Sequence, residues 1–162
     1  MVEAKIEGLA LDMTTNSPVV ILAPTGLNKV LPIWIGHAEA WGIAMELSGV
    51  KSKRPLTYDL LRDIIGTLEA TVERVEITEL KEQTFYARIH LTANGRKYEI
   101  DARPSDSIAL ALKVKAQIFV NEELFNISAE DSERQSTMPT DPESLRERLK
   151  RINPEDFGKY SL

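Results

Sequence analysis

The sequence has no cysteine and only two histidines, His37 and His90, in 162 residues. The first absence excludes disulfides, thiolate metal sites and cysteine nucleophiles. The second leaves too few imidazoles for a multi-histidine zinc site within one chain. No apolar run approaches the ~20 residues that a helix needs to cross a bilayer. The N-terminus also lacks a basic stretch followed by a hydrophobic one. No membrane partner is expected, and the cytoplasm is the expected compartment. An excess of positive charge is missing too: the net charge is −5, whereas dedicated nucleic-acid binders are usually basic. The acidic balance holds on both sides of residue 128. A polyanion would therefore have to meet a local basic patch, for which Lys51-Ser52-Lys53-Arg54 is the candidate, although such runs are most often solvated loops.

What is present is ordinary for a soluble globular protein, with 43% apolar and 28% charged residues in a chain long enough for one sizeable core. Val2, Ala4 and Ile6, then Leu9 and Leu11, alternate in a strand over 2–13, with Gly8 resetting the phase at a bulge. Strands are predicted over 19–23 and 30–35, the latter at a sheet edge because of Pro32. A helix follows to Ser48, burying Ala40, Ile43, Ala44 and Leu47 and stopped by Gly49. Thr57 is expected to cap a second helix with Leu60, Leu61, Ile64 and Leu68 as its buried stripe. Strands over 71–80, with a bulge, and 84–92 lead to the hairpin turn Ala93-Asn94-Gly95 and a strand ending at Asp101. A third helix covers 104–115, and Ile118 to Val120 form a last strand.

This order repeats. Strand, strand, strand, helix occupies 2–48 and recurs over 71–115, with the helix at 57–69 between. An offset of 65 places Ile33 and Ile35 on Tyr98 and Ile100, and Gly36 on Asp101. The expected fold is α+β, a duplicated unit with a mainly antiparallel sheet and helices packed on it. The domain is expected over 1–128. Residues 129–141 read as a flexible linker and 142–162 as a helical tail, with a helix over 142–152 from Leu145, Leu149 and Ile152. Trp34, Trp41, the Met45 side of the first helix and this tail offer enough apolar surface for a homodimer.

The densest polar stretch is Asp101-Ala102-Arg103-Pro104-Ser105-Asp106, where a strand hands over to a helix. Pro104 suits the first helical turn, and Asp106 there lies close to free N–H groups and the positive end of the helix dipole. A capping role explains Asp106 alone, and an Asp–Arg pair explains Asp101 with Arg103. Cleavage of a phosphodiester needs an activated water or hydroxyl, neutralisation of transition-state charge and a stabilised leaving oxygen. Glu39, Asp59, Asp101 and Asp106 are of the right hardness for Mg²⁺ or Mn²⁺, and Arg54 and Arg103 suit phosphate oxygens. The carboxylates fall at or near helix starts.

Several blocks resemble one family: Leu31-Pro32-Ile33-Trp34-Ile35-Gly36 with Glu39-Ala40, then Arg54-Pro55-Leu56-Thr57-Tyr58-Asp59-Leu60-Leu61, then Phe85-Tyr86-Ala87, and Asp101 through Asp106. Together, in this order over residues 2–125, they are similar to the bifunctional nuclease domain family. The resemblance implies a nuclease acting on DNA and RNA, the activity ascribed to plant members, while many bacterial and archaeal members have no assigned substrate. It also implies the duplicated α+β fold. Carried over by position, Glu39, Asp59, Asp101, Asp106, Arg54 and Arg103 are the candidate catalytic residues, with Asp101, Asp106 and Glu39 as metal ligands. Thr57, Tyr58, Ser105, Lys51 and Lys53 are candidates for substrate binding. Tyr58 stands where the family usually has histidine, and its ordinary pKa of about 10 does not suit a general base at neutral pH. A non-catalytic ligand-binding or regulatory module of the same fold is the alternative.

Overall fold

The computed structural model describes residues 1–127 and 149–152. In chain order the elements are β1 (Val2–Asp12), β2 (Ser17–Pro24), β3 (Leu31–Trp34), α1 (His37–Ser48), α2 (Thr57–Thr67), β4 (Ala70–Lys81), β5 (Thr84–Ala93), β6 (Arg96–Ala102), α3 (Pro104–Val114), β7 (Gln117–Val120), a short 3-10 helix (Glu122–Asn126) and β8 (Leu149–Ile152). They form one mixed sheet of order β3-β2-β1-β7-β4-β5-β6, with β8 added beside β1. Among the strand pairs of the described residues, only β4 with β7 is parallel. The α+β class and the two strand-strand-strand-helix units are thus present, and β7 stitches them together by lying between β1 and β4.

Local chemistry explains the joints. The ladder between β1 and β2 slips between Ile6 and Gly8, and that between β4 and β5 slips twice, so the interrupted alternations are bulges. Asn94 and Gly95 both have positive φ, 51° and 71°, which a two-residue type I′ hairpin turn requires. Gly49 adopts the left-handed conformation that ends α1. Pro32 lies in β3, at the sheet edge, where its missing N–H costs no ladder bond.

The main core lies between sheet and helices, joining Val20, Leu22, Ile43, Val75, Ile77, Ile108, Leu110 and Val120 from both halves. A smaller cluster of Ala10, Val19 and Ile21 sits on the other face of the first half, with Val30 and Trp34 against it. There Asp12 is buried, its carboxylate accepting from Trp34 Nε1 at 3.0 Å and from the Thr14 N–H at 2.9 Å.

Several expectations are corrected. Helix α2 is rotated from the predicted stripe: Leu61 packs on the core as expected, but Leu60, Ile64 and Leu68 are exposed, and Tyr58 and Ile65 face the core in their place. Four apolar side chains at near-helical spacing permit either face, and the Tyr58 ring decides between them. Leu47 is likewise exposed. Thr57 is the first residue of α2 rather than its cap; Leu56 holds that position. Trp34 and Trp41 are partly buried against the two cores. Residues 149–152 form a strand, not the end of a helix. They pair with Leu9–Asp12 of β1, a stretch that β7 leaves open because it reaches only Val2–Ala4. The predicted linker and the remainder of the helical tail lie outside the described residues.

The repeat also needs a local shift. Matching the helix starts, His37 with Pro104, sets the helix offset at 67 because 104 − 37 = 67. On that offset Ala40, Ile43 and Ala44 fall on Ser107, Leu110 and Ala111, all buried, and Glu39 falls on Asp106.

Candidate functional site

Each of the three helices carries an acid at its third position: Glu39 in α1, Asp59 in α2 and Asp106 in α3. Acids are favoured there by the free N–H groups and the helix dipole. Two of these acids meet at one cation. Arg103, at the cap of α3, places Nε 2.7 Å from Asp106 Oδ2 and Nη2 3.1 Å from Asp106 Oδ1. The same Nη2 lies 2.7 Å from Glu39 Oε1 of α1. The second unit thus supplies the arginine for the equivalent acids of both. From α2, the Tyr58 hydroxyl donates to Asp106 Oδ1 at 2.8 Å. Three helix starts therefore converge on Glu39, Arg103, Asp106 and Tyr58. The Arg103 side chain is 66% exposed, whereas Glu39 is 15% and Asp106 32% exposed. A guanidinium faces solvent with carboxylates behind it.

Two glycines make room for this node. A side chain at Gly36 would collide with the carboxylate of Glu39, which folds over it, and a Cβ at Gly42 would lie 2.8 Å from the Tyr58 ring. The ring therefore rests on the glycine face of α1. Burial, then the hydrogen bond to anionic Asp106, then the charges of Asp106 and Glu39 push the Tyr58 phenol well above its ordinary value. Tyr58 stays protonated at neutral pH and acts as a donor. Hydrogen bonding and charge from Asp106, followed by Glu39, raise Arg103 as well, so it is permanently cationic.

A second node supports the first. Lys113 Nζ in the last turn of α3 lies 2.5 Å from Glu46 of α1 and 2.8 Å from Asp59 of α2, tying the three helices together. Asp59 Oδ2 also accepts from the Leu56 N–H at 3.0 Å. The Lys113 hydrogen bond, then the Leu56 N–H, hold the Asp59 carboxyl below its ordinary value. Burial alone would lower Lys113, but its bonds to Asp59 and Glu46 outweigh that and raise it. Asp59 is thus a helix-locking residue, and sequence reasoning missed its partners. Lys113 and Glu46 stand in no motif, and only the packing of α1 and α2 on α3 brings them together.

The other candidates are placed as follows. Lys51, Lys53, Arg54 and Thr57 are exposed on and just after the loop before α2, whereas Ser105 is buried. Asp101 is exposed in β6 opposite Arg88. It alternates with Ile100 and Ala102, and Ala102 packs toward the helices, so Asp101 points to the far face of the sheet. The expected pairing of Asp101 with Arg103 is therefore absent. Of the three expected metal ligands, the structure gathers Glu39 and Asp106 and leaves Asp101 apart. Both gathered carboxylates are engaged by Arg103. Among the described residues no group of three or more His, Cys, Asp or Glu is arranged to hold a metal ion, so the donor set does not fit Mg²⁺ or Mn²⁺.

On the far face His90 is buried, with Nε2 2.9 Å from Glu76 Oε2 but without the alignment of a hydrogen bond. Nδ1 lies 3.7 Å from Glu99, and Arg88 meets Glu99 at 3.2 Å.

Comparison with known proteins adds the lineage. The bifunctional nuclease domain profile matches residues 19–133. An uncharacterised protein of Mycobacterium tuberculosis is 37% identical over 164 residues, spanning 97% of this chain and 98% of that protein. Bifunctional nuclease 2 of Arabidopsis thaliana is 27% identical over 112 residues, 67% of this chain and 34% of the plant protein. Bifunctional nuclease 1 of Oryza sativa subsp. indica is 26% identical over 113 residues, again 34% of the plant protein. The chain therefore corresponds to about a third of the plant proteins' length. A match over more than two-thirds of the sequence makes this chain a member of the bifunctional nuclease domain family.

Proposed function

We propose that this protein is a phosphodiester hydrolase acting on DNA and RNA through the node at the three helix starts. The observation that carries this reading is Arg103, an exposed guanidinium held between two carboxylates and beside a protonated phenol. Arg103 binds the non-bridging oxygens of the scissile phosphate in its fork. The phosphate competes with the carboxylates for the guanidinium. A carboxylate released by that exchange, Asp106 or Glu39, takes the proton of the water that attacks phosphorus; the P–O ester bond on the opposite side breaks, and the carboxylic acid so formed returns the proton to the departing alkoxide oxygen. Tyr58 keeps its proton and donates to Asp106 or to a phosphate oxygen. The exposed Lys51, Lys53 and Arg54 hold the flanking strand by charge, which makes binding weak and salt-sensitive in a protein of net charge −5.

The reading as a binding module is favoured by one observation: both acids of the node already have a cation. Purified wild-type protein, Arg103→Ala and Asp106→Asn should be compared on labelled single-stranded DNA and RNA. Loss of a group that stabilises the transition state costs about 100-fold or more, so both variants should fall to background. Cleavage equal in all three preparations would overturn the proposal, and binding without cleavage would support the module.

A further inference from the structure

We infer that the two acids of the node have different tasks, Glu39 taking a proton and Asp106 holding Arg103, and that the set cleaves RNA by attack of the substrate's own 2′-hydroxyl. The inference rests on the nuclease reading and names the nucleophile and the products. The acids are not equivalent. Asp106 accepts on both oxygens: Oδ2 from Arg103 Nε at 2.7 Å, and Oδ1 from Arg103 Nη2 at 3.1 Å and from the Tyr58 hydroxyl at 2.8 Å. Glu39 meets Arg103 through Oε1 alone, 2.7 Å from Nη2, and its Oε2 has no partner among the described residues. Oε2 lies over Gly36, which has no side chain to cover it, and Gly36, His37 and Ala38 are all exposed. Arg103 is divided in the same way. Nε and Nη2 are taken by the acids, while Nη1 has no partner among the described residues. A phosphate docks on Nη1 first. Of the two acids it displaces Glu39 more readily, because one contact holds Glu39 and three hold Asp106.

This arrangement selects the nucleophile. A water has to be captured and oriented before it can attack in line with the leaving oxygen. Here one carboxylate oxygen is open, and the Tyr58 proton is already given to Asp106. A ribose 2′-hydroxyl needs no capture, since its own sugar holds it beside the phosphorus. One carboxylate oxygen is then enough. Glu39 Oε2 takes the proton of the 2′-hydroxyl, the 2′ oxygen bonds to phosphorus, the P–O5′ bond breaks, and Glu39 passes the proton to the departing 5′ oxygen. Arg103 meanwhile carries the charge on the non-bridging oxygens. The products are a 2′,3′-cyclic phosphate and a 5′-hydroxyl, and no water or other reactant is consumed. DNA lacks the 2′-hydroxyl and is left to slower attack by water.

The full chain should be incubated in EDTA with an RNA oligomer and with the same sequence as DNA, and the fragment ends identified by mass spectrometry. RNA should give cyclic phosphate and 5′-hydroxyl ends, at a rate about 100-fold or more above that for DNA. A single 2′-deoxy nucleotide should block cleavage on its own 3′ side and nowhere else. Glu39→Gln should lower RNA cleavage about 100-fold and flatten the acid limb of its pH–rate profile. Asp106→Glu, which keeps a carboxylate on Arg103, should retain that limb and part of the rate. The ends are read on the wild type, so the test survives a variant that fails to fold. RNA fragments with 5′-phosphate ends, cleavage lost in EDTA, cleavage 3′ of the 2′-deoxy nucleotide, or undiminished cleavage by folded Glu39→Gln would overturn this inference and leave the nuclease reading standing. No cleavage of either polymer would overturn both.

Discussion

Tyr58 is held from two sides, by Asp106 at its hydroxyl and by Gly42 under its ring, and this separates its position from its chemistry. Tyr58→Phe removes the donor and leaves the ring in place, so cleavage should fall while Tm changes little. Tyr58→His puts at this position the histidine that the family resemblance implies, and its imidazole can still donate to Asp106, so activity should be kept or raised. Gly42→Ala has the opposite logic. Alanine favours a helix interior by up to ~1 kcal/mol over glycine, yet its Cβ would displace the ring. The expected result is no gain in Tm together with cleavage as low as in Tyr58→Phe; a raised Tm with full activity would show that the ring position is irrelevant. The residues of this node were legible in the sequence as Glu39, Tyr58, Arg103 and Asp106, each at a helix start. Their mutual partners were not, because Arg103 reaches Asp106 three residues away and Glu39 sixty-four residues away with equal ease.

At the scale of elements, the three helices are joined by Lys113, and titration of that joint sets two limits of stability. Asp59 is depressed in the fold, so its contribution is present above the ordinary carboxyl range, about 4, and is lost as pH falls through its folded value. Lys113 is raised, so its contribution is full below about 10.4 and is lost as pH rises through its folded value. Stability should be flat between these limits. Asp59→Asn should lower Tm at neutral pH and flatten the acid limb, and Lys113→Met should flatten the alkaline limb. Limbs unchanged by both variants would show that the joint contributes nothing. Strands and bulges were readable here because alternation and glycine report them locally. The exposed stripe of α2 was not, since its leucines and isoleucines fit a buried face equally well until the tyrosine is placed.

For the molecule as a whole, the scattered carboxylates bear on metal binding. With Asp101 on the far face and Glu39 and Asp106 engaged by Arg103, free protein should show no rise in Tm on adding millimolar Mg²⁺ or Mn²⁺, because a ligand stabilises only what it binds. A clear rise lost in Asp106→Asn would reveal a site that assembles only with the ion.

The duplicated architecture could suggest two halves that melt separately, but the packing argues otherwise. The main core runs without a break from Val20 and Ile43 of the first unit to Ile77 and Ile108 of the second. β7 follows the helix of the second unit yet pairs with β1 of the first, so neither unit completes its sheet alone. Both tryptophans, Trp34 and Trp41, lie in the first unit, whereas backbone circular dichroism reports on the whole. Urea unfolding followed by the two signals should therefore coincide. Ile108→Ala, a buried truncation in the second unit, should cost about 2–5 kcal/mol and shift the tryptophan transition as far as the dichroism transition. If the tryptophan midpoint stayed at its wild-type value while the dichroism curve moved or split, the halves would be separate folding units despite their common core.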